Sequence, residues 1–155
     1  MKQKSYVMVK PGFANSNLTI MLIKDRLKKA GLLVEEEKYI QYDESHAKKH
    51  YFEHVEKPFY PDLEKYITSD KAYGMVVSGY NAIAKIRELC GATKNPATGT
   101  IRHDIPELLG LPIRVTENVV HSSDSPEAAE REIAIFEDLK TLSTNLKTST
   151  DEAAK

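Results

Sequence analysis

The chain has 155 residues, of which 41% are hydrophobic and 29% charged. This predicts one globular domain able to bury its own core without crosslinks or a metal. With 22 Lys+Arg against 23 Asp+Glu the net charge is -1, which excludes a protein that holds nucleic acid by bulk positive charge, because that mode needs a basic surplus.

Ser5 to Val9 reads as an opening strand, stopped by Pro11-Gly12. Asn15-Ser16-Asn17 offers helix caps, and Ile20, Leu22, Ile23 and Leu27 follow at helical spacing up to Gly31. Leu32 to Tyr42 alternates partly and predicts a second strand. Asp43 is placed to cap a helix running to about His54, and Pro58 and Pro61 break the chain before a short helix over Leu63 to Ile67. Ala72 to Val77 is a short apolar strand, Ala82 to Cys90 a helix, and Gly91 to Arg102 a Gly/Pro/Thr loop. Asn118 to His121 is strand-like, and Pro126 suits the first turn of a helix to about Leu139. The rhythm is β-α-β-α-α-β-α-loop-β-α. It predicts an α+β ferredoxin-like sandwich, a small antiparallel sheet with helices packed on one face. Residues 1–140 form the expected domain. Residues 141–155 form a polar tail, rich in Ser, Thr, Lys and Glu, that is expected to fray.

The single cysteine, Cys90, excludes an internal disulfide and reads as a small buried helix residue. The apolar run after Lys2 and Lys4 is too short for a signal peptide, and no stretch approaches a membrane span. A soluble cytoplasmic protein is expected.

No G-x-x-x-x-G-K-[ST] loop, G-x-G-x-x-G turn or protein-kinase motif set is present, so any nucleotide site must be built another way. His46, His50 and His54 recur at i, i+4, i+8. No Cys or suitably spaced Glu completes a ligand set, so they read as a polar helix face and no metal ligand is assigned. His103 beside Arg102 reads as a solvated loop residue. His121 differs, because it ends the apolar pair Val119-Val120 and opens onto Ser122-Ser123-Asp124-Ser125. An imidazole held on a short strand at a polar turn is a nucleophile near neutral pH; taken alone, it reads first as a residue that helps form the turn. Lys10, Arg87 and Arg102 are separated cations that would make an anion cradle if the fold converged them; singly, each reads as a surface charge.

Taken in order, Met8-Val9-Lys10-Pro11, His50-Tyr51, Pro58-Phe59-Tyr60-Pro61, Arg87, Gly91-Ala92-Thr93, Asn95-Pro96, Gly99-Thr100-Ile101-Arg102 and Glu117 to Ser125 resemble the nucleoside diphosphate kinase family. The resemblance runs from about Tyr6 to Phe136, and Asn118 to Ser125 is close to the family pattern N-x-x-H-x-S-D-S. It implies transfer of a terminal phosphate from a nucleoside triphosphate to a nucleoside diphosphate in two steps, through a phosphohistidine on His121. It further implies that Lys10, Tyr51 and Arg102 face the transferred phosphate and that Arg87 and Thr93 hold the β-phosphate. Phe59 would stack on the base with Val115 on its far side, and Asn118 would bind the sugar. Glu132 and Ser123 would orient His121. Mg²⁺ would arrive with the nucleotide phosphates, and the implied partners are nucleoside di- and triphosphates. A hexamer, or alternatively a tetramer, built from dimers is implied, with no membrane and no obligatory nucleic acid.

Four departures stand out. Gly12-Phe13 stands where the family has Asp-Gly, Lys94 is interposed after Thr93, the segment from Thr93 to Arg102 is shorter than usual, and that from Arg102 to His121 is longer. A catalytically silent scaffold of the same fold and a ferredoxin-like RNA-binding module remain as other readings. The net charge and the missing RNP1 pattern weigh against the second.

Overall fold

The computed structural model describes the backbone of residues 2–153 and the side chains of residues 2–139. Four strands, β1 (Lys2–Val9), β2 (Leu33–Ile40), β3 (Ala72–Tyr80) and β4 (Val120–Ser122), form one sheet in the order β2-β3-β1-β4. Every neighbouring pair is antiparallel. The helices are α1 (Asn17–Lys29), α2 (Glu44–His50), α3 (Tyr60–Ile67), α4 (Ala82–Cys90), α5 (Ile101–Leu109) and α6 (Pro126–Ala153). This is the ferredoxin-like α+β arrangement, two interleaved split β-α-β units.

The helices cover both faces of the sheet, which corrects the one-face expectation. The cause is visible in β1. Side chains alternate across a strand, yet Tyr6, Val7, Met8 and Val9 are all at most 1% exposed. Val7 and Val9 join Ile23, Leu27, Val77, Ile86 and Ile105 in a core under α1, α4 and α5. Tyr6 and Met8 join Ile40, Tyr42, Ile67, Val76 and Phe136 in a second core under α2, α3 and α6. A continuous apolar run is the pattern of a strand buried on both faces. At Gly74 a Cβ would lie 2.8 Å from both the Phe136 ring and Tyr6 Oη, so glycine lets α6 seat directly on β3.

Local chemistry accounts for most element ends. Ser16 Oγ accepts from Thr19 N at 3.1 Å and caps α1, and Asp43 Oδ1 accepts from His46 N at 2.7 Å and caps α2. α2 stops at His50, short of the expected His54, and a 3₁₀ turn (Phe52–His54) follows. α3 starts at Tyr60 with Pro61 in its first turn. The expected loop ends at Thr100, two residues earlier than Arg102, because α5 begins at Ile101. Pro106 inside α5 hides it from a sequence reading, since proline there removes a backbone hydrogen bond. The apolar face Ile101, Ile105 and Leu109 holds the helix regardless. α6 starts where expected and continues to Ala153 instead of ending near Leu139. Most of the tail expected from residue 141 is therefore helical backbone, and residues 154 and 155 lie outside the described ones.

Candidate active site

The register of β4 decides where His121 points. His121 pairs with Met8, and Val120 with Val9, so His121 shares the sheet face that α6 covers. The approach to β4 is strained. Val120 N donates to Asn118 O at 3.0 Å, closing a three-residue γ-turn whose central residue, Val119, has φ +80°. A β-branched residue with positive φ is rare and costs on the order of 1–3 kcal/mol. Complete burial of Val119 and a hydrogen bond from Lys10 N to its carbonyl at 2.8 Å hold it there.

A chain of hydrogen bonds sets the state of the His121 ring. Tyr6 N donates to Ser123 Oγ at 3.0 Å, and Ser123 Oγ donates to Glu132 Oε1 at 2.7 Å. His121 Nε2 lies 2.9 Å from the same carboxylate oxygen. Because Oε1 already accepts from Ser123, Nε2 is the donor and carries the ring hydrogen, and Nδ1 keeps its lone pair. Glu132 is 3% exposed, and burial raises its carboxyl above the usual range. Burial, then the positive charges of Lys10 and Arg102, push His121 down to about 3, so the ring is neutral at physiological pH.

The ring lines a cleft of about 280 Å³ together with Tyr51, Arg87, Thr93, Arg102, Arg131 and Glu132. Arg102 sits in the first turn of α5. Its Nη1 donates to Gly91 O at 2.6 Å and its Nη2 to Val120 O at 2.8 Å. Gly91 terminates α4 at φ +87°, and a Cβ there would lie 2.5 Å from Thr100. Glycine thus serves both the turn and the close approach that brings α5 to the cleft. Lys10 is 7% exposed and donates to Asn118 Oδ1 at 2.7 Å and to Thr116 O at 3.0 Å. Burial, then the Arg102 charge, lowers its ammonium to about 7.

Of the residues singled out from sequence, His121, Tyr51, Arg87, Thr93, Arg102 and Glu132 converge on the cleft. Lys10, Asn118 and Ser123 are buried behind it: Ser123 bonds to the lining residue Glu132, whereas Lys10 and Asn118 bond to each other, and the Lys10 charge acts on His121 and Arg102 through space. Phe59 and Val115 do not line it. Phe59 is 49% exposed and reaches the cleft wall through the His54 ring, 5.6 Å away centre to centre. Val115 is 51% exposed and borders a separate recess with Thr93 and Asn95, formed by the long segment after α5.

Sequence reasoning passed over Arg131, His50 and His54, which also line the cleft. Arg131 had a signal in its place beside Glu132. The expected helical face of His46, His50 and His54 does not form. His46 bridges Asp43 and Asp138 at 2.8 and 2.6 Å, while His50 turns inward and is 2% exposed. His103 is no lone solvated residue either, since its Nδ1 lies 2.8 Å from Asp104 Oδ1.

The arrangement is a neutral imidazole with one free nitrogen, facing guanidinium groups in a confined space. It suits transfer of an anionic group onto a ring nitrogen. Comparison with known proteins agrees. The family model for nucleoside diphosphate kinase matches residues 3–141. The nucleoside diphosphate kinase of Methanobrevibacter smithii is 44% identical over 139 residues, covering 88% of this chain and 87% of that protein. The one from Archaeoglobus fulgidus is 46% identical over 137 residues, covering 86% and 85%. Among solved structures, the halophilic nucleoside diphosphate kinase from Halobacterium salinarum in complex with CDP superposes with a TM-score of 0.78 at 38% identity, covering 88% of each chain. The chain belongs to the nucleoside diphosphate kinase family of enzymes.

Proposed function

We propose that this chain moves the terminal phosphate of a nucleoside triphosphate to a nucleoside diphosphate in two steps, through a phosphohistidine at Nδ1 of His121. The observation that carries the reading is the Nε2–Glu132 hydrogen bond at 2.9 Å, which leaves Nδ1 as the free nucleophile. The Nδ1 lone pair bonds to the γ-phosphorus as the bridging P–O bond breaks, and the electron pair leaves on the departing diphosphate. The ring keeps its Nε2 hydrogen, and the positive charge it gains is offset by Glu132. An acceptor diphosphate reverses the sequence. No base is required, since the neutral imidazole already offers its electrons.

Arg102, Lys10 and Tyr51 neutralise or donate to the transferred group, and Arg87 and Thr93 hold the β-phosphate. Asn118 holds the sugar. Phe59 and Val115 flank the base. Stacking of this kind carries no hydrogen-bond code and accepts any base.

Mg²⁺ fits this cleft as a guest of the nucleotide. The wall offers carboxylates at Glu53, Asp124 and Glu132, the last engaged by His121 and Ser123, and no cage of oxygen ligands converges among the described residues. When bound, the ion would offset the charge of the nucleotide phosphates, and Asp124 and Glu53 are the side chains that would face it.

Residues 1–140 carry this reaction, with 141–155 as an appendage, and its cellular role is balance of nucleotide pools in the cytoplasm. Among the described residues no helix is long and apolar enough to cross a membrane. A homo-oligomer, a hexamer built from dimers or else a tetramer, agrees with the open edge of β2, where Leu33 is 62% exposed near Leu18 and Met21 of α1. Light scattering checks the count.

The test of the reaction is labelling with a γ-labelled triphosphate. The native enzyme should carry an acid-labile, alkali-stable label that a second diphosphate removes. His121→Ala should lose label and exchange together, with unchanged circular dichroism. Label retained in that variant overturns the assignment.

A further inference from the structure

One residue far from the catalytic pair in sequence meets it and remains unused by the reaction above. His50, at the end of α2, packs its ring 4.5 Å from the His121 ring, centre to centre. Its Nδ1 lies 3.4 Å from Tyr42 Oη, while its Nε2 is buried with no hydrogen-bond partner. A buried ring nitrogen left bare costs free energy unless something occupies it. One ligand atom each from His50, His121 and Glu132 lies within 4.8 Å of the other two.

We propose that His50 Nε2, His121 Nε2 and Glu132 form a binding site for a zinc-type divalent cation, and that this cation shuts the enzyme off. Two imidazoles and a carboxylate make a familiar zinc ligand set, with the fourth position left to water. Zinc–nitrogen bonds of about 2.0–2.1 Å put tetrahedral ligands about 3.3 Å apart. The 2.9 Å between His121 Nε2 and Glu132 Oε1 and the 4.8 Å limit of the cluster bracket that spacing, so small side-chain shifts suffice. Tyr42, on the far nitrogen of His50, supplies the outer contact that ligating histidines commonly have and directs Nε2 inward. The other cluster of this kind among the described residues, His103, Asp104 and Glu107, lacks such a group: it is open to solvent, and Asp104 is already engaged by Arg26 at 2.8 Å.

The block is chemical as well as steric. Zinc takes the Nε2 lone pair of His121 only when the Nε2 hydrogen leaves. The neutral ring then carries its hydrogen on Nδ1. That is the nitrogen which attacks phosphorus, so the ring loses its nucleophile without leaving its place. The cation site stands on the geometry alone. Its effect on exchange rests on the phosphohistidine reaction proposed above.

Cobalt(II) reports the site without reference to activity. Metal-free, nucleotide-free enzyme titrated with Co²⁺ should develop the visible absorption of four-coordinate cobalt at one equivalent, and Zn²⁺ should bleach it. His50→Gln and Glu132→Gln should each abolish the band. X-ray absorption on the zinc-loaded native enzyme, which depends on no variant folding, should count two imidazoles. Zinc-loaded enzyme should then take up label from a γ-labelled donor about tenfold more slowly or worse. No band, a band unchanged in a folded His50→Gln variant, or fewer than two imidazoles overturns the site. A band with undiminished labelling overturns the shut-off. Metal-free enzyme that never labels would instead sink the phosphohistidine reading and leave the spectrum standing.

Discussion

Around His121, the residues Lys10, Tyr51, Asn118, Ser123 and Glu132 are each less than a tenth exposed, whereas Phe59 and Val115 expose 49% and 51%. Of the first group, Ser123 and Glu132 belong to a chain of bonds from Tyr6 N to His121, Lys10 bonds to Asn118 beside β1 and β4, and Tyr51 is packed at the end of α2. The second sits on a turn beside the His54 ring and on the long segment after α5, which borders a neighbouring recess. A reaction that needs a ring nitrogen and charges in fixed places belongs on the packed sheet, where nothing must reorganise as charge develops. A contact that must accept several bases belongs on exposed surface, where one partner can replace another. Damage should therefore be large and independent of the base at the packed end, and small at the open end.

The largest effect expected outside His121 itself is at Lys10. Lys10→Met should lower kcat/KM by about 10²–10³, as for loss of a preorganised cation or donor. The native lysine also makes a signed pH prediction. Its ammonium stands at about 7 in the free enzyme. A bound polyanion favours the charged form, so binding at pH 8.5 should take up close to one proton from buffer, and below pH 6 almost none. Calorimetry in buffers of different ionisation enthalpy measures this. Uptake at pH 8.5 that persists in Lys10→Met would place the proton elsewhere.

Ser123 comes next. It touches no substrate in the proposed reaction and acts by holding Glu132. Ser123→Ala removes a hydrogen bond to a buried carboxylate, worth about 1.5–3 kcal/mol, so kcat should fall about 10- to 100-fold with little change in KM. The sign of the pH effect follows from the same bond. Ser123 stabilises the ionised carboxylate, so its loss raises Glu132 further and moves the acid limb of kcat to higher pH. An unshifted limb would show that Ser123 supports only the fold.

How far the sequence reached follows the same division. β1, α1, α4 and the start of α6 were legible because caps, periodicity and apolar runs are local. His121, Tyr51, Arg87, Thr93, Arg102 and Glu132 came through the family resemblance, since no spacing rule joins residues from six different stretches of chain. Two-faced burial of the sheet was missed although the run Tyr6 to Val9 carried it in plain form. Helix α5 was missed because Pro106 masks an otherwise apolar face. His50 reads from sequence as part of a polar helix face, and only the end of α2 at His50 and the register of β4 turn it toward His121.

Phe59 should give the smallest effect and the sharpest test of the contrast. Its half-exposed ring loses little on truncation, and base–aromatic stacking is worth about 1–3 kcal/mol, so Phe59→Ala should sit at the low end, near a fivefold rise in KM. Because His121, Glu132 and Ser123 keep their bonds, kcat should hold within about twofold. The rise should be of similar size for adenine, guanine, cytosine and thymine diphosphates, since each presents a π-face. A loss confined to one base would mean that hydrogen bonds at the open end read its edge. A fall in kcat matching the rise in KM would mean that the base contact positions the phosphate after all, and the two ends of the cleft would then have to be treated as one machine.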